Sequence, residues 1–265
     1  MKVNYHIHSI YSDGETALED MVKAAINNEF HEIGFTDHLT LITKNCYETQ
    51  SLNQKNLEKY INEIRNLQKI YSGKIKIKSG LEIDYIPSTI KIIEQIISSF
   101  NFDFLIGSVH YIDEWAFDLP ESQEIWSNLN LNEVNKLYDK YYRLLTRAVE
   151  TGLFDVVGHL DVIKKFGYKQ IRLKEVHKLI KKVNENGLVV EVNSSGLKYA
   201  AREIYPSLDI LNIAFDEDTS ITLATDAHKP EEINYRYTDL IEQVKKAGYT
   251  QTVIFNRQSK SKINF

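Results

Sequence analysis

Along the 265 residues, short runs of apolar and β-branched residues alternate with longer stretches whose apolar positions recur every three or four residues. The first pattern marks strands and the second amphipathic helices, so the alternation predicts βα units and a parallel sheet. Eight strand-like runs can be placed: Val3–His8, Glu32–Thr36, Ile75–Ile83, Phe102–Val109, Asp155–Leu160, Leu188–Val192, Ile221–Thr225 and Thr252–Phe255. Helical period is expected at Ala17–Asn28, Gln54–Ile70, Ser88–Ser98, Asn132–Thr151, Leu173–Glu185, Ser207–Asp216 and Glu231–Ala247. Gly152, Gly187 and Gly248 follow helical runs, where a left-handed residue commonly closes the helix. Leu137, Tyr138, Tyr141, Tyr142 and Leu145 recur at helical spacing and read as core rather than as a binding platform.

The length suits an α/β barrel folded as one domain over residues 1–265, and no linker or low-complexity segment divides it. Two polar and aromatic insertions, Leu39–Leu52 and Ile112–Leu131, fall between strand and helix, where barrel enzymes carry substrate loops. With 43% hydrophobic and 26% charged residues, the chain can bury a sizeable core. The net charge of −5 gives no general attraction to nucleic acid or to an anionic membrane, so any phosphate must be held locally. Cys46, the single cysteine, excludes an internal disulfide and a thiolate metal cage. With no signal peptide and no apolar run of roughly 20 residues, the expected location is the cytoplasm.

The candidate chemistry lies at the ends of the expected strands. His6 and His8 are two apart and share one face of the first strand. Asp37-His38 ends the second, Glu82 and Asp84 the third, His110 the fourth, His159 and Asp161 the fifth, and Asp226 with His228 the seventh. In a closed parallel barrel these ends open onto one rim. One such pair would be a weak signal. Six strands each delivering imidazoles and carboxylates is another matter, because clustered charges repel and buried imidazoles are costly unless cations compensate. A metal cluster resolves the conflict, and sulfur-free ligation by imidazole and carboxylate suits Zn, Fe or Mn.

These residues sit in motifs that resemble the PHP (polymerase and histidinol phosphatase) superfamily across nearly the whole chain. They are His6-Ile7-His8-Ser9-Ile10-Tyr11-Ser12-Asp13-Gly14, Thr36-Asp37-His38, Gly80-Leu81-Glu82, Gly107-Ser108-Val109-His110, Gly158-His159-Leu160-Asp161 and Thr225-Asp226-Ala227-His228. The resemblance implies a distorted (β/α)7 TIM-like barrel, which makes one of the eight strands peripheral. It implies two to three divalent ions and no organic cofactor. His6, His8, Glu82 and Asp226 would hold one ion, Glu82 would bridge to a second held by His110 and His159, and Asp13, His38 and His228 would hold a third. Asp13 has a second reading, as a cap on the helix that follows.

Within the superfamily, Glu191-Val192-Asn193-Ser194-Ser195-Gly196-Leu197 and Glu203-Ile204-Tyr205-Pro206-Ser207 resemble the histidinol-phosphate phosphatase branch. The implied substrate is a small phosphorylated metabolite, L-histidinol phosphate, and the implied reaction is attack by a metal-bound hydroxide on its phosphorus; the alternative that the superfamily resemblance leaves open is a phosphoesterase or 3′-5′ exonuclease acting on another phosphate ester. Lys164, Lys165, Lys198 and Arg202 are the candidate phosphate clamps, with Asn193 orienting a ligand or the substrate. His110 and His159 are the catalytic ligands, and Asp161 is either a proton donor or an orienter of a ligand imidazole. Glu114, Trp115 and Asp118 are placed to meet an ammonium or imidazole group, or to form a solvated loop. His31 and His177 read as surface or packing residues, and the terminal Arg257–Lys262 stretch as a solvated tail.

Overall fold

The computed structural model describes residues 1–265 apart from Asn45, Ile171 and Gln258. Nine parallel strand segments in two sheets surround the core. One sheet orders Val3–Asn4, Glu32–Phe35 and Lys76–Ser79. The other runs from Ile221–Ala224 through Val189–Asn193, Val156–Val157, Ile106–Ser108 and Glu82–Asp84 to His38–Leu39. The expected strand Ile75–Ile83 is thus broken after Ser79: its first piece pairs in one sheet and Glu82–Asp84 in the other. The sheets meet again on the far side, where Tyr5 N donates to Leu223 O at 3.0 Å and Ile7 bridges Ala227 in parallel. Single bonds there replace a continuous ladder, which is the distortion of this (β/α)7 TIM-like barrel.

The expected eighth strand is peripheral. Gln251–Asn256 pairs antiparallel with Ser259–Asn264, so the stretch read as a solvated tail is largely an exposed hairpin strand; Gln258 lies outside the described residues. The hairpin has a structural task at the end of the barrel where the strands begin. Phe255 packs on Phe104 and Tyr5 with ring centroids 5.0 and 5.1 Å apart, closing that end with apolar surface.

Helices cover the outside. Leu131–Glu150 starts at a capping box, in which Asn130 accepts from the amides of Asn132 and Glu133 while Glu133 accepts from Asn130 N. It buries Tyr138, Tyr141, Tyr142 and Leu145, the expected core stripe. Gln54–Ile70 and Leu173–Glu185 have their expected bounds. The expected helix Glu231–Ala247 is shorter: a single turn at Pro230–Glu232 precedes Tyr237–Lys246, and Arg236 between them takes φ +50°. Gly152, Gly187 and Gly248 all adopt positive φ at helix ends. No helix among the described residues is long and apolar enough to cross a membrane.

Candidate metal centre and active site

Parallel strands deliver their last residues to one end, and there the nine residues expected as ligands come together. Glu82, buried at the start of its strand segment, lies at the middle. Its Oε2 is 3.0 Å from His6 Nε2, 3.5 Å from His8 Nε2 and 3.2 Å from His38 Nδ1. Its Oε1 is 2.8 Å from His159 Nε2 and 3.7 Å from His110 Nε2, and accepts from Ser108 Oγ at 2.6 Å. One carboxylate thus faces two sets of imidazoles with different oxygens, the geometry a bridging ligand needs.

Asp226 Oδ1 lies 3.1 Å from His8 Nε2 and 3.6 Å from His6 Nε2. Its backbone takes φ +52°, a conformation uncommon outside glycine, and its carbonyl lies 3.0 Å from His228 Nδ1. Asp13 sits among imidazoles, 3.0 Å from His228 Nε2, 3.3 Å from His8 Nδ1 and 3.5 Å from His38 Nε2. The capping alternative for Asp13 does not hold: the helix Leu18–Asn27 begins after Ala17 with no side-chain cap.

The polar pairing around this cluster asks for cations. Glu191 Oε2 lies 2.6 Å from His6 Nδ1, and since a carboxylate only accepts, that nitrogen carries the proton. His6 Nε2 faces Glu82 and Asp226, so it either carries a second proton toward those carboxylates or gives its lone pair to a cation among them. Burial opposes charge on His6, yet Glu191, Glu82 and Asp226 outweigh it and raise it well above the ordinary imidazole range. For His38, burial is likewise overcome by Glu82 and Asp13. His8 goes the other way, pushed down to about 4 by burial and by His228. Both ring nitrogens of His8, Nδ1 of His38 and Nδ1 of His159 are buried without a hydrogen-bond partner among the described residues. Orphaned imidazole nitrogens among carboxylates fit divalent cations, and three groups of these residues, with a fourth of His38, Asp84 and His110, bring ligand atoms within 4.8 Å of one another.

A cleft of about 440 Å³ opens over the cluster. Both expected insertions contribute to its wall, through Glu48 and Gln50 from one and Asp118, Pro120 and Gln123 from the other. Lys165 lines it too, 3.2 Å from Asp118 Oδ2 and 4.5 Å above the Tyr199 ring. Asp118 is therefore ion-paired rather than part of a solvated loop, while Trp115 donates to Ser122 Oγ and Glu114 is exposed.

The other proposed clamps lie elsewhere. Lys164 is buried among Asp161 Oδ2 at 2.7 Å, Ile204 O at 3.0 Å and Glu203 Oε2 at 3.1 Å, three acceptors that use its whole ammonium. Lys198 is held by Glu232 at 2.9 Å and the Tyr235 ring. Arg202 is exposed beside a second cavity. Asn193 ties down its own strand end, donating to Glu191 Oε1 and accepting from Ser195 N. Asp161 Oδ2 accepts from Lys164 and Ser207 N, and His159 Nδ1 has no hydrogen-bond partner among the described residues, so Asp161 does not hold that imidazole.

Sequence reasoning missed the residues that aim the imidazoles. Glu191 also accepts from His159 N, and Asp84 lies 3.0 Å from His110 Nδ1 while accepting from Thr40 Oγ1. The available signal was a carboxylate in the buried Val-rich run Val189–Asn193, which needs a polar partner to be tolerated.

Residues 4–195 match the PHP domain model. The chain belongs to the PHP family. Over 255 residues it is 31% identical to a probable histidinol-phosphatase of Deinococcus radiodurans, covering 96% of both chains. The histidinol-phosphatase of Bacillus subtilis is 27% identical over 90% of this chain and 97% of its own. Among solved structures, histidinol phosphate phosphatase from Lactococcus lactis, complexed with zinc, L-histidinol and phosphate, superposes with a TM-score of 0.78 at 27% identity and 98% coverage of each chain.

Proposed function

We propose that this PHP protein is a metal-dependent phosphatase that hydrolyses L-histidinol phosphate to L-histidinol and phosphate, a step of histidine biosynthesis, acting as one barrel domain in the cytoplasm. The observation that carries this reading is the convergence of six imidazoles with Asp13, Glu82 and Asp226 beneath a cleft that also holds Lys165, in a chain similar along its length to histidinol phosphatases.

The proposed centre takes two to three divalent ions, Zn, Fe or Mn. His6, His8, Glu82 and Asp226 hold one, Glu82, His110 and His159 the next, and Asp13, His38 and His228 the third. Such ions, when bound, supply a water of lowered pKa and neutralise charge on the phosphoryl oxygens. The chain does the rest. Lys165 holds a phosphate oxygen with its ammonium, and Asp118 keeps that ammonium charged and in place. Glu191 and Asp84 fix the rings of His6 and His110, so that each presents Nε2 to the centre. Glu48 and Gln50, lining the same cleft, are available to the amino and imidazole groups of the substrate.

Phosphate release from L-histidinol phosphate, measured against a panel of other monoesters and a single-stranded oligonucleotide, tests the proposal. Preferential release from L-histidinol phosphate is expected. Selective cleavage of the oligonucleotide would replace it with a nuclease reading.

A further inference from the structure

A second cavity, about 340 Å³, lies apart from the metal cluster, between the helix Leu131–Glu150 and the segment 197–210. That volume is in the range of small-molecule sites. Its wall combines a buried floor, formed in part by Tyr142, Asp161 and Lys164, with a charged rim that includes Arg202, Asp209 and Arg236.

The floor has unfilled hydrogen-bonding capacity. Tyr142 OH and Asp161 Oδ1 are both buried and without a partner among the described residues. Lys164 cannot serve them, because its ammonium is already divided among Asp161 Oδ2, Glu203 and Ile204 O. An unpaired buried carboxylate oxygen is costly, and what it lacks is a donor. At the rim, Arg236 is paired with Asp239 at 2.6 Å and Lys169 with Glu203 at 2.6 Å. Arg202 has no carboxylate partner among the described residues, only a 3.5 Å contact to Leu197 O. It is held at φ +51°, a left-handed conformation that a non-glycine residue adopts at a cost. Leu197, Ile204, Leu208 and Ile210 line the same cavity.

Asp161 Oδ1 lacks a donor, Arg202 lacks an anion, and apolar side chains share the cavity with both. We propose that this cavity is a binding site for a free α-amino acid, with its ammonium on Asp161 Oδ1 and Tyr142 OH, its carboxylate on Arg202 and its side chain against the apolar wall. Ammonium and carboxylate are complementary to the two unmatched groups, and a simple cation or anion would satisfy only one of them.

The test is calorimetric titration of the metal-loaded protein with each of the twenty protein amino acids and with their carboxamides. Expected is saturable binding of at least one amino acid, with its carboxamide bound about tenfold more weakly, and no competition from inorganic phosphate, which occupies the metal cleft. Tyr142→Phe should weaken binding several-fold while phosphatase turnover stays normal, which shows that the variant folds. Arg202→Gln should abolish the preference for carboxylate over carboxamide. The proposal is overturned if no amino acid binds, if phosphate displaces the one that does, or if both substitutions leave its affinity unchanged. Because binding is read directly, these results stand whether or not L-histidinol phosphate is the substrate.

Discussion

Glu191 Oε2 sits 2.6 Å from His6 Nδ1, with both side chains fully buried. The contact fixes the proton on Nδ1 and leaves Nε2 free for a cation, and Glu191 Oε1 in turn receives the amide of His159. Glu191→Gln keeps the volume and removes the charge. We expect metal affinity and turnover to fall about 10- to 100-fold, the usual cost of losing such a partner. Zinc titration and initial rates measure both; unchanged affinity would mean that the contact serves packing alone.

Lys165 and Lys164 are adjacent and should fail differently. Lys165 lines the cleft, so Lys165→Met should raise KM for the phosphate ester, or lower kcat/KM, by about 100-fold with little change in Tm. Lys164 is buried in an ion pair with Asp161, so Lys164→Met leaves an unpaired buried carboxylate and should cost about 3–5 kcal/mol of stability. Thermal melts and steady-state kinetics on the two variants separate these effects.

Metal uptake should release protons and strengthen with pH. In the metal-free chain, burial opposes charge on His110, but Asp84 and Asp118 outweigh it and raise it to about 9; His6 and His38 are raised as well. Below that pH the imidazoles hold protons that a cation must displace, so affinity climbs as pH rises through about 9. Calorimetry in buffers of differing ionisation enthalpy counts the protons. Uptake with no proton release would contradict the raised imidazoles.

Gly158 is held small by a neighbour of the cluster. A Cβ there would run into Ser108 Oγ, the hydroxyl that donates to Glu82 Oε1, and would stand 2.8 Å from Ile106 Cγ2. Gly158→Ala should therefore lower stability by about 1–3 kcal/mol and displace Glu82, weakening metal binding. Adding Ser108→Gly relieves the closer contact and leaves that with Ile106, so the double variant should recover part of the lost Tm but not metal affinity. Equal Tm for the single and double variants would refute the steric account.

Much of this arrangement was legible in the residue order. His6 and His8, two apart in an apolar run, had to share a face, and their rings lie 5.0 Å apart. The cluster was readable because most of its members lie at or just past the end of an expected strand, and parallel strands end together. The clamps were not readable. Lys164 and Lys165 are neighbours, yet the turn at Val162–Lys164 sends one inward to Asp161 and the other to the cleft, a choice set by tertiary partners. Thr252–Phe255 has strand composition, but composition does not say which sheet a strand joins; the hairpin with Ser259–Asn264 was decided by local pairing. The break after Ser79 likewise follows from register between two sheets, which no single run encodes.

The meeting of the first and seventh strands sets an order of events for a newly made chain. Asp13 and His228 touch although 215 residues separate them, and Tyr5 waits for both Leu223 and Phe255. A ribosome that has finished six strands has therefore made only part of the metal centre, and the apolar end of the barrel lies open until the hairpin emerges. Loading with metal belongs after synthesis, and until then the cell must shield an unfinished ring from its neighbours.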